Sequence, residues 1–497
     1  MSFMVDGVNV VVKSVGLATA QGDSDTIINF LKKERTETWK WKSGSGQYAQ
    51  EVYYACPDQK TIGSRRFTLL AQAAISDCVK NYSKKVPPVF TASCNGTVSL
   101  FEERQWQKSF DIDIENSLFE NNPIVSGSCA SGLQALYLAA MMVQSGHGDI
   151  LVLAVDILST SNLENFTSLR ILSEEVLPPW HNNSSGFIPS EAAVAIIIGP
   201  PENQNSKSRH IYLNQLSLYS DVSLTRQYAS ALGLYKTLKP SLIMGQGTGP
   251  AQVDSKELGN IYSVFEKSAP ITTSIYRFGH TTGASGILSM ALAWLTLKEK
   301  EPPYSLLLPE LLKNQKNLDS LKRLNEKNQL HFDSNNGSIL ILCRALSGAC
   351  AIGTLSYLPV TPLLQNNTEW MEPGSPPLLY LNIMKKVFNE ALHKRPLRPP
   401  KLLIVIMEHP ILPEKRFVMN GKLLPGAILE ITPSFVPQLI SSAWGYVGPS
   451  MAILSTDGLH WKNNLFSKLN KSLSRDIVTV QIVTKNNRLE IQWENNG

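Results

Sequence analysis

Ile124-Val125-Ser126-Gly127-Ser128-Cys129-Ala130-Ser131-Gly132-Leu133-Gln134-Ala135-Leu136 reads as a strand, a sharp turn of small residues and the start of a helix. A strand–turn–helix of this kind exposes a side chain at the helix N-terminus, the physics of the serine nucleophile elbow. The thiolate is the reactive form of a cysteine, and the positive end of a helix dipole favours it. Small neighbours leave room for an acyl group beside the sulfur. A free cysteine is more commonly a small buried core residue. That plainer reading suits Cys56, Cys78, Cys343 and Cys350, whereas for Cys129 the local sequence leaves both readings open.

Outward from this turn, short continuous apolar runs predict buried parallel strands over Val8 to Val12, Asp149 to Val155, Ala192 to Ile198 and Ile339 to Leu342. Helical patterns lie between them, over Phe67 to Lys80 and Ala130 to Gln144. Strands alternating with helices imply α/β layers with helices on both faces of a sheet. After Pro200 and Pro201 a second α/β stretch follows, with helices expected over Ser255 to Lys267 and Ala284 to Glu299.

The chain has 497 residues, enough for two to four folding units. Its hydrophobic share of 43% and charged share of 18% suit a globular protein with a large core. The net charge of +5 is spread along the chain, with no basic stripe or reading motif for nucleic acid. Such a surface would favour an acidic partner. No apolar run reaches the roughly 18 residues that a membrane span needs. Met1 to Asp6 lacks a charged start followed by an apolar signal core, and the six cysteines show no metal-type or dense disulfide spacing. The expectation is a cytoplasmic protein with reduced thiols.

Two glycine-rich segments offer partners for Cys129. One is Met244-Gly245-Gln246-Gly247-Thr248-Gly249-Pro250, followed by Asp254 and Glu257; the other runs from Arg277-Phe278-Gly279-His280 to Gly286. Glycines let the backbone approach another element closely while one polar side chain projects.

Together these segments resemble the β-ketoacyl-acyl-carrier-protein synthases, the ketosynthases of the thiolase fold. In that family the nucleophile lies in a turn like Ser128-Cys129-Ala130-Ser131-Gly132. A Gly-Thr-Gly-Thr segment follows, with Asp and Glu spaced as Asp254 and Glu257. A Gly-His-x-x-Gly-Ala-x-Gly motif matches Gly279 to Gly286, and Gly186-Phe187-Ile188-Pro189-Ser190-Glu191-Ala192-Ala193 resembles a further family segment. The resemblance covers about residues 5 to 346 of the 497, with the motifs in order. It implies an α/β/α/β/α layered ketosynthase fold, Cys129 and His280 as catalytic residues, and no cofactor or metal. Substrates would arrive on the phosphopantetheine of an acyl carrier protein or on CoA.

Three departures qualify the implied activity. The family's first catalytic histidine is Gln246 here, its lysine falls at Ile275, and its glycine-rich gating turn is replaced by Asp333-Ser334-Asn335-Asn336-Gly337. A glutamine cannot carry a proton, but its amide can donate a hydrogen bond, so a Gln246/His280 pair would still hold an enolate oxygen. The first expectation is therefore a divergent condensing enzyme of fatty-acid or polyketide type. An alternative is an acyltransferase that passes the acyl group from Cys129 to a hydroxyl, amine or thiol without decarboxylation. A third is a non-catalytic partner like the chain-length factors, though those usually lack the cysteine.

The expected division is 1–203 for the N-terminal half, 204–346 for the C-terminal half and 347–497 for an additional α/β domain. That last stretch resembles a degenerate copy of the N-terminal half. Ala351 to Ser356 echoes the opening strand, Leu379 to Leu392 the first helix and Leu402 to Met407 the next strand. Gly445 to Leu459 echoes the approach to the nucleophile, with Thr456 or Asp457 near the cysteine's place. Ketosynthases dimerise through their N-terminal halves, so a fused half-copy would make a pseudo-dimeric chain; the alternative is a ketosynthase-type partner subunit.

Overall fold

A computed structural model describes residues 9–30, 39–42, 49–52, 63–94, 123–173, 180, 184–202, 209–220, 232–233, 235–265, 269, 271–299, 337–345 and 349–357. Towards the C-terminus it describes 369–370, 382–407, 418–419, 422–423, 433–455, 462–463, 465–466, 469, 476–485 and 488–495. The first strands are β1 (Val11–Thr19), β2 (Trp39–Lys42), β3 (Ala49–Val52), β4 (Val89–Ala92), β5 (Ile124–Ser126), β6 (Ile150–Asp156) and β7 (Ala192–Gly199). Next come β8 (Ile211–Ser220), β9 (Leu242–Met244), β10 (Ile271–Thr272), β11 (Ser338–Arg344), β12 (Ala349–Ser356) and β13 (Glu369–Trp370). The last are β14 (Leu402–Met407), β15 (Val418–Met419), β16 (Lys422–Leu423), β17 (Tyr446–Val447), β18 (Ser450–Leu454), β19 (Ile477–Lys485) and β20 (Arg488–Asn495). The helices are α1 (Ser24–Phe30), α2 (Gly63–Val79), α3 (Ser131–Gln144), α4 (Thr160–Ser168), α5 (Ala251–Phe265), α6 (Ile275–Phe278), α7 (Ser285–Glu299), α8 (Asn382–His393) and α9 (Phe435–Trp444).

Among the described residues, 14 strands form one sheet in the order β10-β9-β11-β12-β8-β1-β7-β6-β4-β5-β18-β14-β19-β20. The two halves of the sheet meet at β1 and β8, which share only the pairs Val11–Tyr212 and Val12–Ile211. So narrow a join lets the sheet fold over on itself. α3 and α7 occupy the space inside: residues 131–143 and 285–297 are all buried. A helix apolar on every side belongs in the middle of a core. One apolar cluster accordingly joins these helices to Val152 and Ile196 of one half and to Ile339 and Ala351 of the other. α2 covers the outer face of the first half, and α5 that of the second. The result is the expected α/β/α/β/α layering.

Gly132 and Gly286 permit the close crossing of the two central helices. A Cβ at Gly132 would lie 2.7 Å from Ile287, and one at Gly286 would lie 2.9 Å from Leu133.

The four apolar runs lie in strands, but the expected parallel direction holds on one side only for β6 and β11 and on neither side for β1 and β7. β1 and β6 both run antiparallel to β7, and β11 is antiparallel to β12; parallel pairing joins β4 to β5 and β6, and β9 to β10 and β11. A strand covered on both faces is apolar whatever its neighbour's direction. Ala351 to Ser356, expected to open a C-terminal copy, lies in β12. That strand is paired on both sides, with β11 and β8, so a division at 347 falls within the β11–β12 hairpin.

Among the C-terminal strands, β18, β14, β19 and β20 extend the sheet beyond β5, while β13 pairs with β17 and β15 with β16. The helix expected over Leu379 to Leu392 is α8, and the strand Leu402 to Met407 is β14. α9 ends at Gly445 in the left-handed conformation (φ 66°), which bonds its amide back to Ser442 and lets β17 and β18 follow. Thr456 and Asp457 lie outside the described residues. No helix among the described residues is long and apolar enough to cross a membrane.

Candidate active site

β5 stops at Ser126, and the chain must turn into α3 within four residues. Ser128 takes a left-handed φ of 51°. That conformation costs a non-glycine residue roughly 1–2 kcal/mol. Local bonds offset the cost: Ser131 donates from both its amide (3.1 Å) and its hydroxyl (2.6 Å) to the Ser128 carbonyl. The Gly127 amide donates to the same Ser131 hydroxyl at 2.8 Å. Cys129 is thereby carried to the start of α3, half-buried rather than sealed in the core.

His280 arrives from the other half. Its amide donates to the Ile188 carbonyl (2.8 Å), and its carbonyl accepts from the Ser190 amide (3.0 Å), so the backbone is pinned on both sides. The ring stacks on Phe187, with centroids 4.3 Å apart and planes inclined by 24°. Nε2 lies 3.4 Å from the Cys129 sulfur, and Nδ1 accepts the Thr282 amide at 3.2 Å. Burial lowers the His280 pKa to about 4, so the ring is neutral at pH 7. With Nδ1 accepting, the one ring proton sits on Nε2 and faces the sulfur. His280 is a donor to Cys129, not a base for it.

Gln246 is held at every polar atom but one. Its amide donates to Glu257 (2.8 Å), its carbonyl accepts from Thr273 (2.6 Å) and its Oε1 accepts from the Arg344 amide (2.8 Å). Nε2 is buried without a hydrogen-bond partner among the described residues. The side-chain oxygen is committed, so the free group is a donor. Cys343, the neighbour of Arg344 in β11, donates its thiol to the Cys129 carbonyl at 3.1 Å. Adjacent residues of one strand thus hold Gln246 and the nucleophile turn.

Asp254 and Glu257 have structural work in this arrangement. Glu257 accepts the amides of Gln246 and Gly247 and the Trp180 indole; Asp254 accepts the amides of Gly249 and Trp180 and the Thr248 hydroxyl. Burial, with Glu257 nearby, raises the Asp254 pKa to about 7. Ile275, at the family lysine's place, is a buried residue opening α6. Residues 333–336 of the altered gating turn lie outside the described residues.

Sequence reasoning missed several residues. Asp156, at the end of β6, is buried and accepts from the Ser93 hydroxyl (2.7 Å), the Cys94 amide (3.1 Å) and the Gly283 amide (2.5 Å). It ties the His280 loop to the strands beside the nucleophile. Arg66 of α2 makes a buried two-pronged ion pair with Glu191, at 2.7 and 2.5 Å. An acidic residue closing an apolar run was the available signal for Asp156. Arg66 had none.

Comparison with known proteins supplies the context. The β-ketoacyl synthase C-terminal domain matches residues 225–308. A polyketide synthase–nonribosomal peptide synthetase, TwmB of Talaromyces wortmannii, is 28% identical over 215 residues, 38% of this chain. The chain spans only 7% of the length of that curated relative. Among solved structures, a type II polyketide ketosynthase bound to a hexaketide in complex with its acyl carrier protein (AntDE:AntF) aligns with a TM-score of 0.55 and 15% identity. It covers 71% of this chain and 100% of its own. The ketosynthase ApeO in complex with its chain length factor ApeC, from Xenorhabdus doucetiae, gives 0.51 and 18%, covering 70% and 98%. A ketosynthase from module 6 of the bacillaene synthase of Bacillus subtilis 168 gives 0.52 and 13%, covering 78% of each chain. The layers and the order of the motifs agree with these structures: the chain has the thiolase-type fold of the solved ketosynthases, and its residues 225–308 match the β-ketoacyl synthase C-terminal domain.

Proposed function

We propose that this chain condenses an acyl group with a malonyl-carrier thioester, using Cys129 as the acyl acceptor. The observation that carries the reading is the 3.4 Å contact between the Cys129 sulfur and the neutral His280 ring, whose Nδ1 is already occupied. In the first half-reaction the thiolate attacks the carrier thioester, the acyl–Cys129 bond forms and the carrier thiol leaves. In the second, the malonyl group loses CO2, its enolate carbon attacks the acyl carbonyl, and the bond to Cys129 breaks to release a 3-oxoacyl-carrier.

The enolate oxygen needs donors that do not give up their protons. Nε2–H of a ring whose pKa is about 4 meets that need, and the unpaired Nε2 of Gln246 supplies the second donor. The partner is an acyl carrier protein, and the thiol chemistry fits a reducing cytoplasm. Formation of a 3-oxoacyl-carrier from acyl-carrier and malonyl-carrier that requires Cys129 tests the reading; equal product from a Cys129→Ala chain contradicts it.

A second reading, acyl transfer without decarboxylation, is favoured by Ile275. An apolar side chain in the lysine's place removes a charge from the family's condensing machinery. A chain-length-factor role is disfavoured by the cysteine itself and by its contact with His280.

A further inference from the structure

β5 would be the edge of the first half-sheet, and an open edge strand is a template for pairing with another chain. Here β18 takes it. Val125 stands opposite Ile453, flanked by the pairs Ile124–Leu454 and Ser126–Ala452. Moving outward from that central pair, the two directions match. β4 is parallel to β5 and to β6, which is antiparallel to β7; β14 is parallel to β18 and to β19, which is antiparallel to β20. A two-fold relation about Val125 and Ile453 describes both arms, as in an isologous interface between two copies.

The core is continuous through this join. On one face, Phe67 and Ala74 of α2 share a cluster with Val387 of α8 and Trp444 of α9. On the other, Leu133 and Leu136 of α3 share one with Ile404 and Ile453. Carried through the paired residues, Ala92 and Ala154 correspond to Ile406 and Gln481, so Asp156 corresponds to Val483. Valine has no carboxylate to tie catalytic loops, and this arm supports a site rather than forming one.

The support reaches the nucleophile turn directly. The hydroxyl of Ser434, the buried residue before α9, lies 2.5 Å from that of Ser128, the left-handed residue preceding Cys129. Gln134 of α3 donates to the Ser450 carbonyl at 3.1 Å, and Gln438 donates to the Ser450 hydroxyl at 3.3 Å.

We propose that residues 382–495 act as a half-partner within the chain, taking the place of a second copy on the β5 edge, with Ser434 as a positioning residue that holds the Ser128–Cys129 turn. The inference rests on the reading of Cys129 as the reactive thiol only for its reporter. The test uses the full chain. Light scattering should give a monomer of 54.9 kDa at all concentrations tried; a stable dimer of about twice that mass overturns the half-partner. Alkylation of Cys129 by iodoacetamide, followed by peptide mass across pH 6–9, reads the turn without any carrier substrate. Ser434→Ala should slow it about tenfold and displace its pH profile at unchanged thermal stability, with Ser434→Thr restoring both. Ser128→Ala reads the same contact from the other side and should show the same loss. Wild-type rates and profiles in the folded alanine variants overturn the positioning role. Failure of the condensing reading would leave these alkylation results intact.

Discussion

His280 presents Nε2 to the Cys129 sulfur at 3.4 Å while its Nδ1 is held by the Thr282 amide at 3.2 Å. The two bonds together define what the histidine does: it donates, and it stays neutral.

The pH dependence follows from the same burial. The folded pKa of about 4 lies below the ordinary value of 6.5, so between these limits the unfolded chain binds a proton that the folded one refuses. The contribution of His280 to stability is therefore complete above about pH 6.5 and declines as pH falls towards 4, by roughly 3 kcal/mol over the whole range. Urea titrations of the wild type and of His280→Gln at pH 7 and pH 5 should show the wild type losing more stability than the variant. An identical loss contradicts the buried neutral ring.

Gln246→Glu keeps an acceptor for the Arg344 amide and removes the free amide donor. Acyl loading onto Cys129 should stay within about twofold, whereas elongation should fall roughly 100- to 1,000-fold, the usual effect of losing one oxyanion donor. Single-turnover loading and steady-state elongation separate the two. Elongation at the wild-type rate would show that Gln246 takes no part.

Arg66→Met leaves the buried Glu191 carboxylate without its guanidinium, which costs about 3–5 kcal/mol. The double variant Arg66→Met/Glu191→Leu should recover most of that loss in denaturant unfolding. No recovery would mean that the pair does not couple α2 to the segment that enters β7.

At Gly283 an added Cβ would lie 2.5 Å from an Asp156 carboxylate oxygen and 2.6 Å from the Cys94 amide nitrogen. Gly283→Ala should therefore destabilise by about 1–3 kcal/mol and lower acyl loading, because the same loop positions His280. Unfolding and loading are measured on one preparation. A stable Gly283→Ala chain that loads normally would contradict the clamp.

What the sequence made legible was local. The Ser126–Gly132 turn and the Gly279–Gly286 run are stretches of consecutive small residues whose local sequence raises a nucleophile and its partner as candidates, and they carry the two side chains that meet. Asp156, Arg66 and Ser434 act through partners 62 to 306 positions away, a distance over which no periodicity signals a contact. Strand direction was hidden because β6 and β7 are buried on both faces. β12 drew the boundary at 347 because it opens a new apolar run, yet its hairpin with β11 keeps it in the second half. The helix expected over Leu379 to Leu392 and the strand over Leu402 to Met407 meet α8 and β14; the place of this arm beside β5 required the pairing itself.

The central claim is tested most directly by intact mass of the chain through two additions. Acyl-carrier protein alone should add one acyl mass at Cys129, and malonyl-carrier protein should then return the chain to its unmodified mass as a 3-oxoacyl-carrier appears. An acyl-Cys129 that persists through the second addition would contradict condensation, and a chain that takes up no acyl group from any carrier thioester would contradict the nucleophile.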